Sequence, residues 1–124
     1  MQVLKNVAAA LKTGGKFLLD VENKYYFIIN NVLKEGKTWF DYDGKIVLIK
    51  NFYDVKEERE IMTVKIIKSG NVKESGYNIR LYGYPEISKM LHNVGLKPQK
   101  LFGDYNSSEF QLTSRRMIVL ANKT

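Results

Sequence analysis

The chain has 124 residues, 44% of them hydrophobic and 12% aromatic, enough for one small domain that buries only about two-thirds of its unfolded surface. The absence of cysteine excludes a disulfide framework and a thiolate metal site, and a single histidine, His92, excludes a multi-histidine one. A formal charge of +7 favours anionic partners, but the lysines are scattered, so a solvated basic surface is the plainer reading than a nucleic-acid patch. No apolar run is long enough to span a bilayer and no signal-peptide pattern is present, so a cytoplasmic protein is the expectation.

Residues 1 to 11 read as an amphipathic helix, with Val3, Leu4, Val7, Ala8 and Leu11 on one face. No capping residue precedes it, which is how a helix looks when a chain starts inside it. The stretch Leu11-Lys-Thr-Gly-Gly-Lys-Phe-Leu-Leu-Asp-Val21 then organises the rest of the chain. The helix is expected to stop at Lys12-Thr13, with Gly14 and Gly15 supplying the positive φ of a tight helix-to-strand turn. Phe17-Leu18-Leu19 is a short apolar strand of the kind buried in a sheet covered by helices, and it ends at Asp20. Glu22-Asn23-Lys24 marks a loop, Tyr25 to Leu33 returns to helical spacing, and Glu35-Gly36-Lys37 closes that helix.

The middle of the chain is β-prone. Thr38-Trp39-Phe40-Asp41 leads into Asp43-Gly44, a strong hairpin signal. Lys45 to Tyr53, Arg59 to Lys68 and a strand ending in Tyr77-Asn-Ile-Arg-Leu-Tyr82 complete a four-stranded antiparallel meander over residues 38–82. In the third strand Met62, Val64 and Ile66 take one face and Thr63 and Lys65 the other, which is polar enough to meet water or a ligand. Gly83 then caps a helix with Pro85 in its first turn and Ile87, Met90, Leu91 and Val94 on its apolar face; Gly95 ends it. Strands are expected over Lys97 to Tyr105 and Arg115 to Asn122, joined by a polar loop. No internal repeat or linker divides residues 1–124, so a single domain is the expectation.

Three stretches resemble class I S-adenosylmethionine-dependent methyltransferases when taken in order. Leu11-Lys12-Thr13-Gly14-Gly15 with its strand resembles the family's "LKPGG-strand" segment, with Thr13 in place of proline. Arg80-Leu81-Tyr82, Glu86-Ile87, Leu91 and Val94-Gly95-Leu96 resemble its "R-x-Y … E-L … L … A-G-F" run, with Gly83 where a Ser or Thr often caps. Phe102-Gly103-Asp104-Tyr105 and Arg115 to Ala121 resemble its closing hairpin. The resemblance implies an α/β fold (α+β in the fragment by itself): the C-terminal part of a Rossmann-like methyltransferase sheet carrying the meander as an insertion on the substrate side. It implies S-adenosylmethionine as cofactor of the complete domain. The family's Gly-rich loop after its first strand, and the acidic residue that holds the ribose, have no counterpart here. Gly14-Gly15 leads into a strand instead of joining a strand to a helix N-terminus. No cofactor is therefore expected for this chain alone, and no metal.

Methyl transfer from a sulfonium depends chiefly on positioning, so the candidate residues are those that would line a substrate cleft. Asp20 and Asn23 follow the strand whose end should border the crevice, although both suit a loop turn as well. Tyr26, with Tyr25, could wall a pocket or belong to the core. Arg80 and Tyr82 share a face of the fourth strand and could clamp a polar or anionic group, or make an exposed cross-strand pair. Asp104 and Tyr105 could border the same cleft or form a turn. His92 reads as a surface residue, and no nucleophile-base-orienter set is apparent.

The reading is therefore a truncated or split methyltransferase, this chain being the substrate-side half and inactive alone. Its expected partner is a separate chain with the cofactor-binding half, or a second copy in a homodimer through the bare edge of Phe17-Leu18-Leu19. The alternative is a non-catalytic module that uses the basic, aromatic meander to bind RNA or an acidic protein.

Overall fold

Leu4 and Ala8 stand one turn apart on the first helix, α1 (Gln2–Ala10), and both are buried. Val7 and Leu11 pack beside them, so the spacing read from the sequence sets the face that packs except at Val3, which is 71% exposed. The structure, a computed structural model, describes residues 2–124, so Met1 lies outside the described residues. After α1 the chain turns through Gly14, whose φ is +82°, into β1 (Lys16–Glu22). Of the glycine pair only Gly14 adopts positive φ; Gly15 is needed for a different reason. A Cβ on Gly15 would lie 2.8 Å from the Lys12 carbonyl oxygen. Lys123 fastens the turn from the other end of the chain. Its backbone exchanges hydrogen bonds of 2.8 Å with Gly14 and Gly15, and its ammonium donates to the carbonyls of Ala8 and Leu11 at 2.5 and 2.7 Å. A cation at these last carbonyls satisfies the helix end and opposes its dipole.

The chain divides into two compact units, one made by its two ends and the other by Tyr25–Leu81. In the first, β1, β6 (Leu96–Phe102) and β7 (Arg116–Lys123) form an antiparallel sheet in the order β1-β7-β6. The helix α3 (Tyr84–Asn93) starts at the expected Gly83 cap, has proline in its first turn, and ends at Val94 before Gly95. Ile87 and Leu91 on α3 meet Leu4 and Ala8 of α1 and Met117, Val119 and Ala121 of β7 in one core. Pro98 costs β6 no ladder bond it needs, because β6 is an edge strand. β1 is the other edge, and Leu18 on it is 59% exposed.

The second unit holds the meander, β2 (Lys37–Tyr42), β3 (Lys45–Asp54), β4 (Arg59–Lys68) and β5 (Asn71–Arg80), in sequential antiparallel order. Asp43 and Gly44 both take positive φ, 49° and 73°, as the tight hairpin requires. Two expectations need correcting. The helix expected from Tyr25 is a three-residue α-turn, α2 (Lys24–Tyr26), that widens into a π-helix, π1 (Phe27–Glu35). Asn30 offers the reason: its side-chain amide donates to the Tyr26 carbonyl at 3.2 Å and competes with the i→i−4 ladder. The fourth strand stops at Arg80, so Tyr82 does not share its face. Tyr82 lies in the connection to α3, half-buried against the core of the first unit. Among the described residues no helix is long and apolar enough to cross a membrane.

Candidate functional site

The end of β1 brings polar groups together from three separate stretches of sequence. By register Arg116 on β7 faces Glu22, yet its guanidinium reaches diagonally to Asp20, two residues back on the same face of β1. Nε donates to Oδ1 of Asp20 at 2.9 Å. The Tyr105 hydroxyl donates to the other carboxylate oxygen, Oδ2, at 2.5 Å. Tyr105 comes from the loop after β6, and its ring is 77% exposed.

That loop is built to hold Tyr105. The carboxylate of Asp104 accepts from the backbone N–H groups of Asn106 and Ser108 at 2.8 and 3.1 Å, an Asx-type turn. Gly103 pairs with Ser108 and Arg116 through its backbone, and a Cβ on it would run into the side chain of Ser114. Asn23 anchors the rest. It is 2% exposed, and its Nδ2 donates to the carbonyls of Gln111, Leu112 and Ser114 at 3.4, 3.2 and 2.7 Å. One amide converging on three carbonyls in the loop fixes residues 111–114 against the end of β1.

The electrostatics follow from these contacts. Partial burial pushes the Asp20 carboxyl upward, but the hydrogen bonds from Tyr105 and Arg116 outweigh it and hold the group below the ordinary carboxylate range. Tyr105 is raised, first by its bond to Asp20, so its hydroxyl stays a donor. Burial works against the Arg116 charge, and Asp20 more than restores it. Asp104 is lowered by Ser108 and stays charged. A carboxylate whose pKa is lowered is a weaker general base than an ordinary one. Asp20 is suited to accepting a hydrogen bond from, or placing negative charge beside, a bound group, and less to removing a proton.

Of the seven residues singled out in the sequence, Asp20 and Tyr105 touch directly, Asp104 shapes the turn carrying Tyr105, and Asn23 anchors the adjoining loop. Tyr82 is a core-flanking residue of the same unit. Tyr26 and Arg80 belong to the other unit; Arg80 pairs with Glu58 at 2.8 Å beside the β3–β4 turn. Sequence reasoning missed Arg116. Its presence at the start of the last strand was legible, but which of Arg115 and Arg116 faces Asp20 depends on a register no local pattern specifies. Glu60 was missed as well. It is fully buried on β4 and accepts from the Tyr77 hydroxyl at 2.9 Å. Among the described residues no cluster of three or more histidine, cysteine, aspartate or glutamate side chains is placed to hold a metal.

The turn at the glycine pair does not supply the donor cradle that a sulfonium nucleoside needs. The N–H groups of the one glycine pair are already used, Gly14 by the Lys123 carbonyl and Gly15 by that of Lys12, each at 2.8 Å. The turn is closed onto β7 and offers no donors to a ligand's carboxylate.

The architecture is mixed α/β with two antiparallel sheets, and in fold it matches roughly half the length of solved methyltransferases. The CcbJ methyltransferase from Streptomyces caelestis superposes with a TM-score of 0.77 at 18% identity, over 98% of this chain and 51% of its own. An S-adenosylmethionine-dependent methyltransferase from Clostridium acetobutylicum gives 0.75 at 20% identity, over 97% and 49%. An amino pentose methyltransferase from Micromonospora echinaspora, solved with S-adenosylmethionine bound, gives 0.54 at 15%, over 98% and 49%. The chain thus spans about half the length of the solved methyltransferases it matches. No family model matches the sequence, and no curated protein does.

Proposed function

We propose that this chain is the substrate-side half of an S-adenosylmethionine-dependent methyltransferase, inactive alone and completed by a polypeptide that carries the cofactor-binding half. The observation that carries the reading is the fold match. Nearly all of this chain superposes on about half of solved methyltransferases, while its own glycine pair is spent in a turn sealed to β7. In this reading the Asp20–Tyr105–Arg116 cluster borders the acceptor site. Asp20 receives a hydrogen bond from, or sets its charge beside, the polar group to be methylated. Tyr105 and Arg116 hold the carboxylate in one orientation, and positioning of this kind supplies most of what a methyl transfer needs. Asn23 and Asp104 act one step back, by fixing the loop. Tyr26 and Arg80 belong to the unit that carries the meander and act there.

Calorimetric titration of the isolated chain with S-adenosylmethionine and S-adenosylhomocysteine tests the division of labour. No saturable heat is expected from either ligand. A micromolar isotherm would mean that these residues build a cofactor site by themselves, and the half-enzyme reading would fall.

A further inference from the structure

Charge is segregated along one face of the meander, the face on which Val47 is buried. The register that pairs Ile46 with Ile67 brings Lys45 opposite Lys68 one step further on. Lys73 stands opposite Ile66, the next residue of β4 on that face, so it is the diagonal neighbour of Lys68. Three ammonium groups thus crowd two adjoining rows at the end of the sheet that carries the Asp43-Gly44 and Ser69-Gly70 turns.

No carboxylate answers them. Among the described residues of β2–β5 this face holds a single acid, Glu60. It lies eight residues from Lys68 along β4, about 26 Å away, and exposed charges are screened beyond about 8 Å at physiological salt. Asp41 and Glu74 belong to the opposite face by the alternation of their strands, and Asp43 does not line the depression between the lysines. None of the three lysines forms an ion pair among the described residues. They line that depression, of about 490 Å³, together with Ser69, Asn71 and Ile66. Its volume is that of a small-molecule site, and it offers donors: three ammonium groups, a hydroxyl and an amide.

Like charges held side by side destabilise a sheet, and a compact anion carrying several charges relieves that cost. An extended nucleic-acid strand would need the cations to continue along a groove. The next row on this face, Thr38, Ile49, Val64 and Ser75, carries none. We infer that this end of the meander is a binding site for a diphosphate group, free or as part of a nucleotide. It is built from none of the residues of the Asp20–Tyr105–Arg116 cluster and does not depend on the methyltransferase reading.

Calorimetric titration of the full chain with inorganic pyrophosphate at low ionic strength should give saturable binding at one site. Lys68→Gln should weaken it about fivefold and Lys45→Gln with Lys73→Gln at least about tenfold, the order expected of exposed charge contacts. Lys37→Gln with Lys50→Gln removes as many charges from the opposite face and should leave the affinity within about twofold. Without ligand the Lys45→Gln, Lys73→Gln variant should unfold at a higher denaturant concentration than the wild type, a gain that a misfolded protein would not show. ADP separates the two sources of the diphosphate. Affinity no better than that of pyrophosphate assigns a free diphosphate; tighter binding, lost in Tyr42→Ala, assigns a nucleotide, since Tyr42 is 66% exposed and pairs with Lys45; either result supports the site. No saturable binding, equal losses from the two double variants, or tighter binding of an oligouridylate than of pyrophosphate would each overturn the inference.

Discussion

Arg116 stands directly across from Glu22 in the β1–β7 ladder, but its guanidinium binds Asp20 on the diagonal at 2.9 Å. Diagonal neighbours on one face of an antiparallel pair lie within reach of long side chains. The choice matters because the Tyr105 hydroxyl also takes Asp20, so one carboxylate joins two strands and a loop.

Asp20 should therefore titrate below an unfolded aspartate. Because the folded value is depressed, the stability it contributes is complete above the unfolded pKa of about 3.9 and is lost as pH falls through the lower folded value. Urea midpoints of the wild type and Asp20→Asn should differ at about pH 6 and converge toward about pH 2. A constant difference across that range would mean that the carboxylate's charge adds nothing. In Arg116→Ala the Asp20 carboxyl should move upward in an NMR titration.

Asn23→Ala should cost about 1–3 kcal/mol, since the carbonyls of Gln111, Leu112 and Ser114 lose a buried donor. Asn23→Asp should cost more, because a carboxylate would face three carbonyl oxygens. Amide exchange at residues 111–114 should quicken in both. If chemical denaturation finds Asn23→Asp as stable as the wild type, the side chain is not the anchor described.

The two glycines of the turn should respond differently to alanine. Gly14 has open space around a Cβ but a φ of +82°, so Gly14→Ala should cost roughly 1–2 kcal/mol of backbone strain. Gly15→Ala should cost more, because its Cβ would press on the Lys12 carbonyl oxygen that accepts the Gly15 N–H. Equal, small losses in denaturant midpoint would show the turn to be slack.

Much of the fold was legible because its signals are local. The α1 and α3 faces follow from the spacing of Leu4 and Ala8 and of Ile87 and Leu91. The Gly83 cap, the Asp43-Gly44 hairpin and the meander order follow from turn chemistry and alternation. The π-winding of Phe27–Glu35 was not legible, since its period of apolar residues reads equally as an α-helix and a single side-chain bond at Asn30 bears on the outcome. Nor was the end of β5 at Arg80, which moves Tyr82 from a sheet face into the edge of a core.

The sequence by itself determined that Asn23, Asp104 and Tyr105 lie where strands give way to turns, because glycine and polar breaks punctuate the chain around them; Asp20, read as the end of its strand, lies two residues inside it. Only the tertiary structure decided which of them meet. The Asp20–Arg116 pair spans 96 residues of chain and the Asp20–Tyr105 bond spans 85. Contacts that far apart are set by strand register and by how a loop closes, and a shift of one residue would turn every side chain of β7 to the opposite face.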